Sequence, residues 1–182
     1  MFLRSNSRAA GLIYEGQPLQ AEYVAAFDGG DIVPTPLSDG AWNCRHPRAD
    51  ELEFLIDWRV DFAREALQFP DSPTLRSECE HELRLVHERG SNWVLEDGGL
   101  VSYSAFNAQL PDIVQIGGVW TPLELRGRGY GRAVVAGSLL EVRELGVRRA
   151  VLFAERDDAK RAYRGIGFRV VGEYGLVLFG GS

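Results

Sequence analysis

Cysteine is scarce in this chain of 182 residues: Cys44 and Cys79 are the two present, no C-x-x-C pairs them, and by themselves they cannot build a metal site. That usage suits a reducing compartment, with both read as core thiols. Long apolar runs are also missing. Ala150 to Ala154 is far shorter than a spanning helix, and Met1-Phe2-Leu3-Arg4-Ser5-Asn6 lacks the hydrophobic region of a signal peptide. The expectation is a cytoplasmic protein with no membrane partner. Positive charge does not predominate either: a net charge of −6 and a pI near 5.1 argue against a general nucleic-acid binder, so no nucleic-acid partner is expected. Histidine is absent from the motif-bearing C-terminal half. His81 and His87 lie off the apolar stripe of their expected helix, read as solvent-facing, and show no carboxylate spacing for a metal.

What is present is ordinary globular composition, 45% hydrophobic and 25% charged, in a chain of single-domain length. Residues 1–40 read as an appendage. Tyr23 to Phe27, Asp28-Gly29-Gly30-Asp31 and Ile32-Val33 suggest a small hairpin, followed by a linker around Pro34 and Pro36. So short a hairpin is marginal alone and should pack on the domain or on a second chain, which leaves a homodimer open. The main domain, 41–182, starts with a strand at Ala41 to His46. A helix follows, N-capped by Asp50 with Glu53 three residues on and carrying Leu52, Leu55, Ile56, Phe62, Ala63 and Leu67 on one face. Ser72-Pro73 opens a second helix, lined by Leu75, Cys79, Leu83 and Val86 and stopped at Gly90.

Trp93 to Leu95, a turn at Glu96-Asp97-Gly98-Gly99, Leu100 to Phe106 and Ile113 to Thr121 form an antiparallel meander. Next come a helix over Arg132 to Leu145, with Val135, Ala136, Leu139, Leu140 and Val142 inward, and a strand over Ala150 to Ala154 read as buried on both faces. A short helix from Asp157 to Ile166 and one or two strands from Arg169 to Phe179 close the chain. The fold class is α/β, a mixed sheet with helices on both faces.

Between a strand and a helix stands Arg126-Gly127-Arg128-Gly129-Tyr130-Gly131-Arg132. Glycines let successive backbone N–H groups face one point, and the helix N-terminus adds partial positive charge, so the stretch is a cradle for a diphosphate. No Lys-Ser or Lys-Thr follows, which excludes a P-loop. The alternating glycines do not meet the G-x-G-x-x-G spacing of dinucleotide folds. A disordered Arg-Gly segment for RNA would be longer than this single turn.

What remains is R/Q-x-x-G-x-G/A, filled by Arg126, Gly129 and Gly131. It is followed downstream by A-x-x-x-Y-x-x-x-G-F at Ala159, Tyr163, Gly167 and Phe168. Together with the strand Asp112 to Thr121, these runs resemble the GNAT superfamily of N-acetyltransferases over roughly residues 41–182, and the opening segment resembles the start of its two-part members. The resemblance implies a GNAT-like acyl-CoA N-acyltransferase fold and acetyl-CoA as co-substrate. The partner it implies is a primary amine on a small molecule or peptide, attacked directly in a ternary complex.

By motif position, Val119, Trp120 and Thr121 would pair with pantetheine as a further strand would, and residues 127–132 would hold the diphosphate, with Arg128 and Arg132 adding ionic contacts. Tyr163 would protonate the leaving thiolate. Glu155, at a strand end, is the candidate base, though a solvated strand-end carboxylate is the simpler account of it. Two positions depart from the family: Leu123 replaces a common proline, and Arg156 replaces an asparagine of the pantetheine wall. The second departure, with no evident base, motivates an alternative, a non-catalytic acyl-CoA-binding regulatory module. Nucleotide binding is a third reading.

Overall fold

A computed structural model describes residues 22–27, 33–154 and 156–174. Its sheet has seven strands in the order β2-β3-β4-β5-β6-β1-β7. In chain order they are β1 (Glu22–Phe27), β2 (Asn43–Arg45), β3 (Asn92–Glu96), β4 (Leu100–Gln109), β5 (Ile113–Trp120), β6 (Arg149–Ala154) and β7 (Arg169–Tyr174). The helices are α1 (Thr35–Ser38), α2 (Leu52–Glu65), α3 (Leu75–Glu88), α4 (Tyr130–Glu144) and α5 (Asp157–Arg164). All ladders are antiparallel except β5 with β6. Among the described residues no helix is long and apolar enough to cross a membrane.

The meander β3-β4-β5 divides its side chains by strand alternation. Val94, Tyr103, Ala105 and Trp120 face α2 with Leu52, Leu55, Ile56 and Trp58, while Trp93, Leu95, Phe106, Val114 and Ile116 face α4 with Ala133, Val134 and Val135. Helix α3 packs outside α2 through Leu75 and Cys79 against Val60 and Ala63. Helices thus cover both faces, as the patterning predicts.

Several local expectations are corrected. Glu22–Phe27 does not form a hairpin with Val33, which is irregular; Ile32 lies outside the described residues. The segment lies between β6 and β7, antiparallel to both, so it is a strand of the main sheet and not an appendage to it. An internal slot supplies two ladders of backbone hydrogen bonds where a hairpin supplies one. The start of α2 is organised by Glu51 and not by Asp50 with Glu53. A short 3₁₀ turn at Ala49–Glu51 precedes the helix, and the Glu51 carboxylate accepts from the Arg48 N–H at 2.7 Å while pairing with Arg45 of β2. Helix α2 ends at Glu65, before Leu67.

Leu140 is exposed on α4, and Ala133, Val134 and Ser138 are buried beside Val135, Ala136, Leu139 and Val142, so the face on the central core is centred away from Leu140. Strand β6 alternates, with Ala150, Leu152 and Ala154 buried and Val151 and Phe153 partly so. His87 is half-buried, with Nδ1 enclosed and unpartnered. The expected strand beyond Tyr174 lies outside the described residues.

Both cysteines are free thiols. Burial pushes the Cys44 thiol up to about 12, so it is inert at neutral pH. Its Sγ lies 3.7 Å from the Val134 carbonyl, where β2 crosses α4, and a β-carbon on Gly137 would overlap both Sγ and Cβ of Cys44. Gly137→Ala is therefore expected to lower stability by about 1–2 kcal/mol, because overpacking against a strand outweighs alanine's better helix propensity. A thermal melt of the variant checks this; a raised melting temperature would show that β2 yields without cost.

Candidate active site

Strands β5 and β6 run parallel and in register from Ile113↔Arg149 to Ile116↔Leu152, and there the pairing stops. Strand β5 continues to Trp120 and β6 to Ala154, so beyond Ile116 the two lie unpaired. On its other side β5 pairs with β4 at Ala105↔Gly117 and next at Tyr103↔Trp120. Gly118 and Val119 fall in neither register, and Gly118 sits at φ +62°, a conformation that favours glycine. Gly118 and Val119 thus stand opposite Ser104 alone, a two-against-one irregularity of the β4–β5 ladder, at the mouth of the opening where β5 and β6 part.

The two residues after Val119 are engaged differently from expectation. The Trp120 carbonyl accepts from Ser102 Oγ at 2.9 Å, and the Thr121 carbonyl from Arg126 Nε at 2.9 Å. The Trp120 side chain is buried on the α2 face, edge-on to Phe62. Of the three residues matched to the pantetheine strand, Val119 lies at the ladder irregularity beside the opening, and the carbonyls of Trp120 and Thr121 anchor the strand end.

Past Thr121 the chain makes a 3₁₀ turn at Leu123–Leu125 and enters the glycine loop. Gly127 and Gly129 both adopt positive φ, +79° and +89°, and Gly129 is the N-cap of α4. The first N–H of the turn to find a backbone acceptor is that of Ala133, which donates to the Gly129 carbonyl at 3.1 Å. The N–H groups of residues 127–132 donate to no carbonyl or side chain among the described residues. Alternating left-handed glycines at the N-terminus of a 15-residue helix give a concave set of donors with the helix dipole behind it.

The side chains of the loop divide into three groups. Arg126 turns away from the cradle: its guanidinium pairs with both oxygens of Glu65, at 2.5 and 3.0 Å, and stacks over the Trp120 ring at 4.8 Å. Tyr130 is buried against Trp42 and donates to Asp97 Oδ2 at 2.5 Å, so its backbone alone faces the cradle. Arg128 is exposed and reaches the Glu124 carbonyl at 3.4 Å, while Arg132 forms no ion pair among the described residues. A substituent on Gly165, at the end of α5, would stand 3.5 Å from Arg132 Nη1, so that guanidinium bridges α4 and α5. Beside it, Asp157, Lys160, Arg161 and Arg164 line a cavity of about 340 Å³.

Helix α5 follows the end of β6 and carries Tyr163. The ring packs on the central core and edge-on to Phe168, with centroids 6.0 Å apart. Its hydroxyl has no hydrogen-bond partner among the described residues. Loss of solvation, reinforced by the Asp158 carboxylate, pushes its pKa above the ordinary phenol value, so it is protonated throughout the neutral range. Arg156 is held in a two-pronged pair with Asp158, at 2.9 and 3.1 Å, and stands 3.9 Å from Glu65, so its guanidinium is committed to carboxylates. Glu155 lies outside the described residues.

Glu65 escaped the sequence reading, although it joins the end of α2 to the loop through Arg126. A signal existed: a carboxylate in the last turn opposes the helix dipole and calls for a cation from elsewhere.

A parallel strand pair that parts beside a glycine cradle, with helices on both faces, defines the acyl-CoA N-acyltransferase fold. The chain belongs to the GNAT acetyltransferase family, whose model matches residues 52–168. Solved structures share the fold. A GCN5-related glucosamine N-acetyltransferase region of a fungal multi-domain GH3 β-N-acetylglucosaminidase superposes with TM-score 0.61 at 15% identity, over 86% of this chain and 20% of that one. A GCN5-related N-acetyltransferase from Kribbella flavida gives 0.58 at 20%, over 86% and 57%. An acetyltransferase from Clostridium acetobutylicum, solved with acetyl-CoA, gives 0.60 at 17%, over 76% and 96%. The chain thus spans about a fifth and somewhat over half of the first two. No curated protein matches the sequence.

Proposed function

We propose that this protein transfers an acetyl group from acetyl-CoA to a primary amine of a small molecule or peptide, by direct attack within a ternary complex. The observation that carries this reading is the parting of β5 and β6 after Ile116↔Leu152 beside a cradle of N–H groups at 127–132 that are unengaged among the described residues. Strand edges left unpaired beyond Ile116 and Leu152 suit an extended chain bound in place of a strand, and the cradle suits a diphosphate at that chain's far end. Arg132, Arg161 and Arg164, unpaired among the described residues, suit the phosphate-rich nucleotide end.

In this reading the backbone N–H groups at the Gly118–Val119 irregularity meet the thioester oxygen, where such donors stabilise the charge that develops as nitrogen attacks. The C–N bond forms and the C–S bond breaks. The departing thiolate takes the Tyr163 proton, and the nitrogen, initially an ammonium, loses two protons in becoming the neutral amide; one of them returns through water to Tyr163 and the other is released. Glu155 remains the proposed acceptor for one of these. The acidic chain favours a cationic acceptor.

The test measures thiol release from acetyl-CoA over a panel of primary amines, alongside thermal shifts. Amine-dependent release is expected, with acetyl-CoA stabilising the fold by about 2.7 kcal/mol at a hundred times its Kd. A shift with no release for any amine would favour the regulatory binding module. Stabilisation by ATP or NAD where coenzyme A gives none would favour nucleotide binding instead.

A further inference from the structure

The apex of the opening carries a polar side chain with no assigned task. Strand β4 pairs Phe106 with Ile116 and Ala108 with Gln115, which leaves Asn107 as an extra residue, a β-bulge. Bulges bend a strand and re-aim the side chain of the unpaired residue, and they concentrate beside active sites. Here the bulge lays the Asn107 carboxamide across the neighbouring strand. A β-carbon on Gly117 would overlap its Nδ2, Oδ1 and Cγ atoms, so Gly117 is glycine because the amide occupies that space. Gly117 is also the first residue of β5 past its last pair with β6. The amide therefore stands directly over the point where the strands part, on the face shared with Ala105 and α2. Asn107 is exposed, and its amide makes no hydrogen bond among the described residues.

An amide held by a bulge, admitted by a glycine and without a partner among the described residues is an arrangement that folding alone does not require. We propose that Asn107 binds the acceptor: its Oδ1 accepts a hydrogen bond from an N–H of the incoming amine and directs the nitrogen lone pair at the acyl carbon held on Gly118 and Val119. The inference rests on the transfer reading above. A carboxamide neither takes nor gives a proton at neutral pH, so Asn107 positions the nucleophile and does not act as the base. The geometry also selects the acceptor class. A primary amine that has lost one proton keeps N–H groups for Asn107, whereas an alcohol surrenders its one hydrogen in the reaction.

The experiment is steady-state thiol release with the best primary amine of the panel. Asn107→Ala and the bulk-conserving Asn107→Leu should each raise the amine KM roughly tenfold, as expected for loss of one hydrogen bond to a charged or polarised group, with the acetyl-CoA KM and the melting temperature unchanged. The near-isosteric Asn107→Asp, which preserves the bulge, should lower the KM of a cationic amine. Unchanged amine KM in the Ala and Leu variants overturns the inference while leaving acetyl transfer standing, and so does a rise shared equally by both substrates. A wild-type protein that binds acetyl-CoA yet releases thiol with no amine removes the transfer reading, and this inference with it.

Discussion

Replacing Tyr163 with phenylalanine should lower kcat by about a hundredfold, the lower range for loss of a positioned general acid, and leave both KM values within twofold. The ring supplies the packing, edge-on to Phe168 and against the central core, and phenylalanine retains it. What disappears is one hydroxyl, without a hydrogen-bond partner among the described residues, whose proposed task exists only while sulfur departs. Its pKa lies above the ordinary phenol value of about 10, so Tyr163 stays a proton donor as pH rises, and kcat should show no alkaline decline from this group between about pH 7 and 9.5. A pH–rate profile of both proteins checks the assignment. Unchanged turnover in Tyr163→Phe would remove the residue from the mechanism, and an alkaline limb lost with the hydroxyl would mean that its pKa is lowered in the working complex.

Gly129→Val should weaken acetyl-CoA binding by about ten- to a hundredfold, since a β-branched residue at φ +89° carries roughly 1–3 kcal/mol of strain that the loop releases by changing shape. The change dismantles the cradle and leaves the core intact, so the melting temperature without ligand should move far less than the affinity. Gly131→Ala is the internal control. Its β-carbon would meet Thr121 Oγ1 at 3.5 Å and Val119 Cγ1 at 3.9 Å, ordinary contacts at the end of β5, and binding should hold within a few-fold. Calorimetric titration of both variants decides the matter. Equal losses would mean that bulk near the diphosphate, and not loop conformation, controls affinity.

Legibility in the sequence followed the range of the interactions involved. The glycine loop could be read because its demands are local: positive φ at Gly127 and Gly129 and a following amphipathic helix are properties of a dozen consecutive residues. The position of Tyr163 could be read because motif spacing places it on one short helix beyond a strand. The segment 22–27 was misread because an apolar run looks the same beside a turn or between two distant strands, and its partners lie more than a hundred residues away. Arg126 and Tyr130 sit in the motif, yet their side chains serve α2 through Glu65 and the β3–β4 turn through Asp97.

By itself the sequence determined the periodic elements, the backbone freedom of the glycine loop and the family these imply, because each depends on neighbours along the chain. Tertiary structure alone decided which strand fills the slot between β6 and β7, that Arg126 of the loop pairs with Glu65, and that the Asn107 amide lies over Gly117. Those outcomes depend on strand register and on where side chains from separate elements meet. A one-residue bulge or shift redirects them without altering the local pattern from which a sequence is read.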